Sequence, residues 1–297
     1  MDPALASAPG AAGVRVWKVM SRGRGPTDGA RAAGGRSCCL RSYCPVVPAE
    51  PACFRRAHAQ SPADRHAGRR REPIEAVAAD IGGMAVAGDT RDAAHAAQAV
   101  ATAVATFGGP DIVVTSAGLG FVGSAGDIDD DHWQRTLDVN LTGAMVLVRA
   151  ELPAMLERGG GSIVLVSSVN GLVSAPSLVA YDTSKAGLIA LSRSMAVDYG
   201  QRGIRSNTLC PGWVVTPMGD DAMDAMVAAR GIGRQDAYDL ATADVPLRRA
   251  ATAQEIASCC LFLALDESPI VTGTTLVADG GGLAVDLTST AFRMPTR

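Results

Sequence analysis

Aromatic side chains are scarce in this chain of 297 residues, of which phenylalanine, tryptophan and tyrosine make up only 4%. Hydrophobic residues still account for 47%, so alanine, valine and leucine have to fill the core of one large or two small α/β domains. No apolar run reaches the roughly eighteen residues that a transmembrane helix needs, and the N-terminus lacks the apolar segment of a secretory signal. We therefore expect a cytoplasmic protein that does not span a membrane.

Cysteine pairs at metal-ligand spacing are also absent. Four of the seven cysteines fall between Arg36 and Arg56, and no two of them form a Cys-x2-Cys pair. Structural zinc sites use such pairs, so no metal site is expected. A chain without an export signal is expected to keep its thiols reduced. The net charge of −3 gives no reason to expect a nucleic-acid partner.

Glycine is missing from residues 36–67, although 33 of the 297 residues are glycine. The first 72 residues instead carry thirteen Lys and Arg against five Asp and Glu, together with seven of the sixteen prolines. Val14–Met20 has the composition of a strand, but no helical or strand-like periodicity follows it in this segment. Residues 1–72 are therefore interpreted as an atypical N-terminal region that is either disordered or read out of frame.

From residue 73 onward, short apolar segments alternate with longer amphipathic ones. Short apolar runs bounded by turns predict strands, and runs of ten or more residues with helical spacing predict helices. This alternation is typical of βαβ units, in which helices cover both faces of a parallel sheet. Strands are predicted at Met84–Gly88 and at residues 111–118, 161–168, 203–212 and 272–282, and helices at residues 73–83, 91–109, 130–156 and 180–200.

This pattern predicts one domain at residues 73–285, followed by a tail at residues 286–297. Residues 217–245 interrupt the alternation with short helical segments rich in methionine and aspartate. Such an insertion before the last helix and strand is typical of a lid over a pocket. Four nearby residues either form an adaptable apolar wall of that pocket or only fill the core: Trp213, Met218, Met223 and Met226.

Tyr181 and Lys185 stand four residues apart in a predicted helix, so their side chains share one face. A nearby cation favours the phenolate and is expected to lower the pKa of the tyrosine, which suits a general acid or base. Ser168 ends a predicted strand thirteen residues earlier, where a parallel sheet presents ligand-binding groups. Asn140 lies among apolar residues of the preceding helix and needs a hydrogen-bond partner if it is buried. A strand-capping serine and a satisfied core amide are the alternatives for these two residues.

Three turns at predicted strand ends complete the pattern. Asp89 follows the strand Met84–Gly88, and its alternative role is to cap the helix that begins near Arg91. The small residues Thr115–Gly118 form the second turn, where a flat ligand can approach the backbone. The third turn is formed by Pro211-Gly212 and is followed by Val214 and Thr216.

In this order and at this spacing, the residues resemble the short-chain dehydrogenase/reductase family over residues 73–282. The chain has Thr115-Ser116-Ala117-Gly118 where the family usually has Asn-Asn-Ala-Gly. The resemblance implies a Rossmann-like, doubly wound parallel sheet in a single domain, with an atypical first βα unit. It also implies an enzyme that interconverts a secondary alcohol and a ketone with NAD or NADP, and that forms a homodimer or homotetramer. A 3-oxoacyl group, a small cyclic alcohol and a hydroxysteroid are all compatible substrates.

The resemblance also implies a role for each matching residue. Tyr181 would exchange a proton with the substrate oxygen, and Ser168 would hold that oxygen. Lys185 would lower the pKa of Tyr181 and bind the nicotinamide ribose, and Asn140 would organise a water chain that leads to Lys185. Asp89 would lie near the adenine of the cofactor, and Ala117 and Gly118 near the adenosine ribose. Tyr181 and Lys185 would lie at the nicotinamide ribose. The residues towards the carboxamide would be Pro211, Gly212, Val214 and Thr216.

The family's glycine-rich phosphate loop has no counterpart at the expected position, near residues 40–48, which contain no glycine. Gly25–Arg31 keeps two glycines but has arginine in place of the third, and it lies too far upstream. The alternative hypothesis is therefore a catalytically impaired scaffold or oligomerisation protein that does not bind the dinucleotide. Near the second strand, Asp64 favours NAD whereas Arg69–Arg71 favour NADP, and we expect NAD.

Overall fold

The computed structural model describes residues 17–22, 38–40, 75, 78, 83–286 and 288, and of residues 17–22 and 38–40 only the backbone. Within these residues, six strands form one sheet, in the order β2-β1-β3-β4-β5-β8. Two shorter strands, β6 and β7, pair with each other. The strands are β1 Trp17–Arg22, β2 Cys38–Leu40, β3 Ile112–Thr115, β4 Gly161–Val166, β5 Ile204–Pro211, β6 Val214–Val215, β7 Ala251–Thr252 and β8 Thr275–Ala278.

Strands β3, β4, β5 and β8 run parallel to one another, which confirms the predicted parallel sheet for the main part of the domain. Strand β1 overlaps the strand predicted at Val14–Met20, of which residues 14–16 lie outside the described part. It runs antiparallel to both β3 and β2. The first unit of the sheet therefore departs from the βαβ pattern, as the atypical N-terminal sequence predicted.

Helices flank the sheet where the periodicity predicted them. The helix predicted at residues 130–156 consists of α2 and α3, joined by a π-helical turn at Asp138–Thr142. Most of the helix predicted at residues 73–83 lies outside the described part, and its Glu75 and Ala78 are helical. The described helices are α1 Ala93–Phe107, α2 Asp130–Leu137, α3 Gly143–Glu157, α4 Val179–Tyr199, α5 Pro217–Arg230, α6 Arg234–Ala241 and α7 Ala253–Ala264.

The core lies on both faces of the sheet because alternate side chains of each strand point in opposite directions. Ile112 and Val114 pack with Ile256 and other residues of α7, whereas Val113 packs with Leu147 and other residues of α3 and α4. The coverage of both faces by helices is therefore confirmed. Helices α2 and α3 together are long and apolar enough to cross a membrane, but half of their most apolar window is buried inside the fold. We interpret them as core helices.

The strand predicted at Met84–Gly88 is not found, because these residues have no regular secondary structure. Ala85 and Ala87 nevertheless pack against the core cluster that contains Ile112 and Val114. A strand requires a hydrogen-bonded neighbour, and no ladder among the described strands includes this segment. Its apolar composition therefore reflects burial rather than strand pairing.

The predicted lid insertion at residues 217–245 contains α5 and α6, which pack on each other around Met223, Ala237 and Tyr238. Thr216 begins this unit, since its hydroxyl accepts a hydrogen bond from the amide of Gly219 at 3.2 Å. Met226 also packs against this small core. Met223 and Met226 therefore fill this small core, which was the alternative that the sequence left open.

Candidate active site

The predicted catalytic residues meet at the edge of the sheet where β3, β4 and β5 end. Ser168 follows β4 by two residues, and Tyr181 and Lys185 lie in the first two turns of α4. The loop before α4 is fixed by Gly123, whose amide donates to the carbonyl of Ser177 at 2.7 Å. This edge is where open α/β sheets bind ligands, and the structure brings the four predicted catalytic residues together there.

Asn140 is buried in the π-helical turn, with hydrogen bonds on both sides of its amide. Its Oδ1 accepts from the amide of Leu119 at 2.8 Å, and its Nδ2 donates to the carbonyl of Leu119 at 2.8 Å and to Ser184 Oγ at 2.9 Å. These bonds join the turn after β3 to helix α4. Asn140 is thus a satisfied core amide at the site, and its place in a water chain stays a prediction.

The ammonium group of Lys185 is buried beside Tyr181. Its Nζ donates to the carbonyl of Val166 at 3.1 Å and lies 5.5 Å from the centroid of the Tyr181 ring. Burial lowers the pKa of Lys185 to about 8, since the charged form loses hydration, and the nearby Cys210 opposes that change. An ammonium has three protons, and among the described residues we find one acceptor for them, the carbonyl of Val166.

The pKa of Tyr181 is raised above its ordinary value, chiefly because burial disfavours the phenolate. The hydrogen bond with the Ser168 hydroxyl acts in the opposite direction, and Asp182 and Cys210 raise the pKa further. The prediction of a lowered pKa is therefore wrong for the protein alone, because desolvation of the buried phenolate is the largest cause of the shift. Tyr181 is protonated at neutral pH and is set up to donate a proton.

Two glycines after β3 let the backbone approach these side chains closely. A Cβ on Gly118 would lie 3.4 Å from Lys185 Nζ, and a Cβ on Gly120 would lie 3.2 Å from Cδ2 of the Tyr181 ring. Any larger residue at Gly120 would press on the ring. The small-residue turn predicted at Thr115–Gly118 therefore serves to bring backbone and catalytic side chains together.

Comparison with known proteins agrees with this geometry. The family model described as enoyl-(acyl carrier protein) reductase matches residues 61–282. The chain is 39% identical to oxidoreductase UcpA of Salmonella typhimurium over 219 residues, which cover 71% of this chain and 81% of UcpA. It is 45% identical to protein MoaE of Klebsiella aerogenes over 159 residues, covering 54% of this chain and less than two thirds, 62%, of MoaE.

Among solved structures, the actinorhodin polyketide ketoreductase with NADPH superposes with a TM-score of 0.67 at 28% sequence identity, covering 72% of this chain and 85% of the ketoreductase. This chain belongs to the short-chain dehydrogenase/reductase family. It is accordingly an enzyme of that type, and its fold is Rossmann-like. The family match begins at residue 61, twelve residues before the start of the resemblance found in the sequence pattern.

The other cofactor contacts implied for a short-chain dehydrogenase lie around this centre. Pro211 ends β5, and the amide of Gly212 donates to the carbonyl of Ala278 at 3.1 Å. Val214 forms the short strand β6, and the Thr216 hydroxyl caps α5. The contacts of these residues with a carboxamide, and of Ala117 with a ribose, stay predictions.

Asp89 is hydrogen-bonded and ion-paired to the neighbouring Arg91. Its carboxylate accepts from the amide of Arg91 at 2.9 Å and pairs with the Arg91 guanidinium at 2.7 Å. Helix α1 is instead capped by Asp92, which accepts from the amide of Ala94 at 2.8 Å. The alternative role of Asp89 as the helix cap is therefore wrong, and its contact with an adenine stays a prediction.

The described half of the site fits a nicotinamide dinucleotide. The Lys185 ammonium retains donors for hydroxyl groups such as those of a ribose, and Gly118 leaves the space beside it free of a side chain. The phosphate and adenine end of the dinucleotide would be tested by two segments that lie outside the described part of the chain, Gly25–Arg31 and Asp64–Arg71. Lys185 and Tyr181 would hold the nicotinamide ribose, and Asp89 would contact the adenine.

Three residues of this dehydrogenase site escaped sequence reasoning. Asp182, directly after Tyr181, is buried and accepts hydrogen bonds from the loop before α4. The Cys210 thiol is buried at the end of β5, beside Ser167 and Ser168. Ser184 links Asn140 to the carbonyl of Tyr181. Charged and polar residues at the start of a helix next to a catalytic tyrosine are the signal by which Asp182 and Ser184 could have been found.

Proposed function

We propose that this enzyme interconverts a secondary alcohol and a ketone with NAD or NADP, using Tyr181 as the general acid and base. The observation that carries the proposal is the meeting of three side chains: Ser168 lowers the pKa of Tyr181, and the buried Lys185 ammonium lies 5.5 Å from the centroid of the tyrosine ring. Two neighbouring hydroxyls suit a substrate that has a single reactive oxygen. The likeness to a ketoreductase bound to NADPH supports the same chemistry.

In the direction of ketone reduction, Tyr181 donates its proton to the carbonyl oxygen as that oxygen gains negative charge. The raised pKa keeps the phenol protonated before the reaction, and Ser168 donates a second hydrogen bond to the developing charge. Lys185 then stabilises the phenolate that remains, because its ammonium lies beside the ring. In the direction of alcohol oxidation, the same phenolate accepts the proton. The bound nicotinamide supplies or accepts the hydride.

We propose NAD as the preferred cofactor, on the strength of Asp64 in the sequence, and a 3-oxoacyl or cyclic ketone as substrate. The exposed Trp213 and the half-buried Met218, next to the predicted lid, are the proposed apolar wall for such a substrate. A panel of cyclic and 3-oxoacyl ketones, each assayed with NADH and with NADPH, tests both points. Equal rates with the two cofactors would remove the preference for NAD.

We further propose that the chain forms a homodimer or homotetramer, with the edge of its sheet at β8 as one interface. This strand is the last in the sheet order, and unpaired strand edges readily associate. Apolar side chains lie exposed on and near it, including Val277, Phe262 and Ile270, the last with 91% of its surface exposed. Light scattering of the purified chain and of the Val277→Lys variant tests this, and a monomeric wild type would overturn it.

Cofactor titration and one substitution test the enzyme proposal. NADH and NADPH fluorescence should change on binding, and Tyr181→Phe should leave binding intact but reduce turnover by about 10²- to 10⁴-fold. Tyr199→Phe, at the far end of the same helix, is the matched control and should keep wild-type turnover. If millimolar NADH and NADPH both leave the fluorescence unchanged, the scaffold hypothesis replaces the enzyme. If Tyr181→Phe keeps its turnover, the assigned role is wrong.

A further inference from the structure

Asp182 is a buried acidic residue directly next to the catalytic tyrosine. Only 8% of its surface is exposed, and a buried carboxylate is costly unless donors satisfy its oxygens. Two donors do so, and both come from the loop that joins β4 to α4. Asn170 Nδ2 donates to Asp182 Oδ1 at 2.8 Å, and the amide of Ala175 donates to Asp182 Oδ2 at 3.1 Å. The carboxylate therefore holds the start and the middle of this loop against the first turn of α4.

Asn170 connects this carboxylate to Ser168. The backbone amide of Asn170 donates to Ser168 Oγ at 3.2 Å, and the Ser168 side chain lies close enough to Tyr181 to lower the pKa of the phenol. A serine hydroxyl has a single proton. Since the amide of Asn170 occupies an acceptor position on Ser168 Oγ, that proton is left free to point towards Tyr181. The contacts thus run from Asp182 through Asn170 to Ser168 and back to Tyr181.

We propose that Asp182 and Asn170 are positioning residues, which hold the Ser168 hydroxyl in the orientation that faces Tyr181 and the reacting oxygen. The inference rests on the proposed function, since Ser168 matters only if an oxygen reacts there. Neither residue needs to touch the substrate. A purely structural role would stabilise the loop without affecting Ser168. The tests must therefore measure a property that depends on the Ser168 hydroxyl.

The pair allows an exchange experiment. In Asp182→Asn, an amide NH₂ replaces one carboxylate oxygen and meets a donor, either Asn170 Nδ2 or the amide of Ala175. In Asn170→Asp, two carboxylates face each other. In the double exchange, the new carboxylate at position 170 accepts from the new amide at position 182, whose oxygen still accepts from Ala175. Both contacts are satisfied again, with the side-chain bond reversed in direction.

Each single variant should lose about 10- to 100-fold in kcat, the range expected when a reacting group is misplaced by about 1 Å. The KM for the cofactor should change by less than about twofold, because Lys185 and Asn140 are untouched. The double exchange should return to within about threefold of wild-type kcat. In a Ser168→Ala background, Asp182→Asn should have no further effect on kcat, because its action passes through Ser168.

A titration that needs no turnover separates this inference from the proposed function. The chain has four tyrosines, so the resonance of Tyr181 in ¹³C-tyrosine NMR is assigned by its loss in Tyr181→Phe. Asp182→Asn is unsuited to this titration, because the charge of Asp182 raises the Tyr181 pKa and its loss would lower it directly. Asn170→Ala keeps that charge. Because Ser168 lowers the Tyr181 pKa, Asn170→Ala and Ser168→Ala should both raise it. An unchanged Tyr181 pKa in Asn170→Ala would overturn the inference, even if the wild type shows no activity. Equal losses of kcat with and without the Ser168 hydroxyl would also overturn it.

Should Asp182→Asn fail to fold, Asn170→Ala supplies the same tests. It removes only the side-chain bond to Asp182 and keeps the backbone amide that reaches Ser168. A raised Tyr181 pKa and a reduced kcat in Asn170→Ala would support the positioning role, and wild-type values for both would refute it.

Discussion

Glu151 is fully buried on α3, between the core residues Val148 and Met155. Neither of its carboxyl oxygens has a hydrogen-bond partner among the described residues, and burial raises its pKa from 4.5 to about 8. An ionised carboxylate in these surroundings would be strongly destabilising, so Glu151 stays protonated at neutral pH. The unfolded chain does ionise it. The fold therefore loses stability as the pH rises.

The size of this effect follows from the two pKa values. A folded-state pKa above the unfolded one contributes stability that is fully present below pH 4.5 and is lost as the pH rises towards about 8. A pKa difference of one corresponds to about 1.4 kcal/mol. Glu151 should thus reduce the free energy of unfolding by about 3 kcal/mol between pH 4.5 and pH 7, and by about 5 kcal/mol above pH 8.

Replacing Glu151 by methionine, which has a similar volume and no charge, should remove this loss. We expect Glu151→Met to exceed the wild type in free energy of unfolding by about 3 kcal/mol at pH 7 and to exceed it further at pH 8.5, with a small difference at pH 5. Urea unfolding followed by tryptophan fluorescence, at one protein concentration across this pH range, measures it. Glu157→Gln, at an exposed position of the same helix, is the control. A difference that does not grow with pH would refute the reasoning.

Two further substitutions test the site. Lys185→Met should abolish turnover yet raise the free energy of unfolding at pH 7 by about 3 kcal/mol, because burial lowers the pKa of Lys185 from 10.5 to about 8. Wild-type stability should correspondingly decrease as the pH falls from 10.5 to about 8 and level off below that, and urea unfolding of both chains measures it. Gly120→Val should lower turnover more than about tenfold, since its side chain would press on the Tyr181 ring. Gly126→Val, where a Cβ meets nothing within 4 Å, should behave as the wild type in the same assay.

The catalytic residues were predictable from sequence because each owes its position to local structure. Tyr181 and Lys185 share a helix face at four-residue spacing, and Ser168 follows an apolar strand. Asn140 stands out as a polar residue in an apolar helix, so its need for buried partners could be stated in advance. Such features depend on periodicity and on neighbouring residues, which the sequence shows directly.

Other features depend on contacts that no local pattern reveals. The bond between Asn170 and Asp182 requires the loop between them to fold back on itself. The raised pKa of Tyr181 depends on how deeply the ring is buried, which spacing alone does not show. The absence of a strand at Met84–Gly88 follows from the lack of a pairing partner in the described sheet. Arg205, which donates to the carbonyls of Leu263 and Leu265 at the end of α7, is likewise visible only in the fold.

The π-helical turn at Asp138–Thr142 makes the length of this helix part of the active site. A π turn contains one residue more than the corresponding α turn, and each residue of an α-helix advances the chain by about 100° around the axis. Deleting any one residue of the turn would restore a regular helix and rotate α3 relative to α2 by that angle. Either Asn140 would swing away from Leu119, or Leu147 and Met155 would leave the core. Catalytic geometry and core packing are thus tied to the same single-residue insertion, and this segment should tolerate substitutions far better than changes of length.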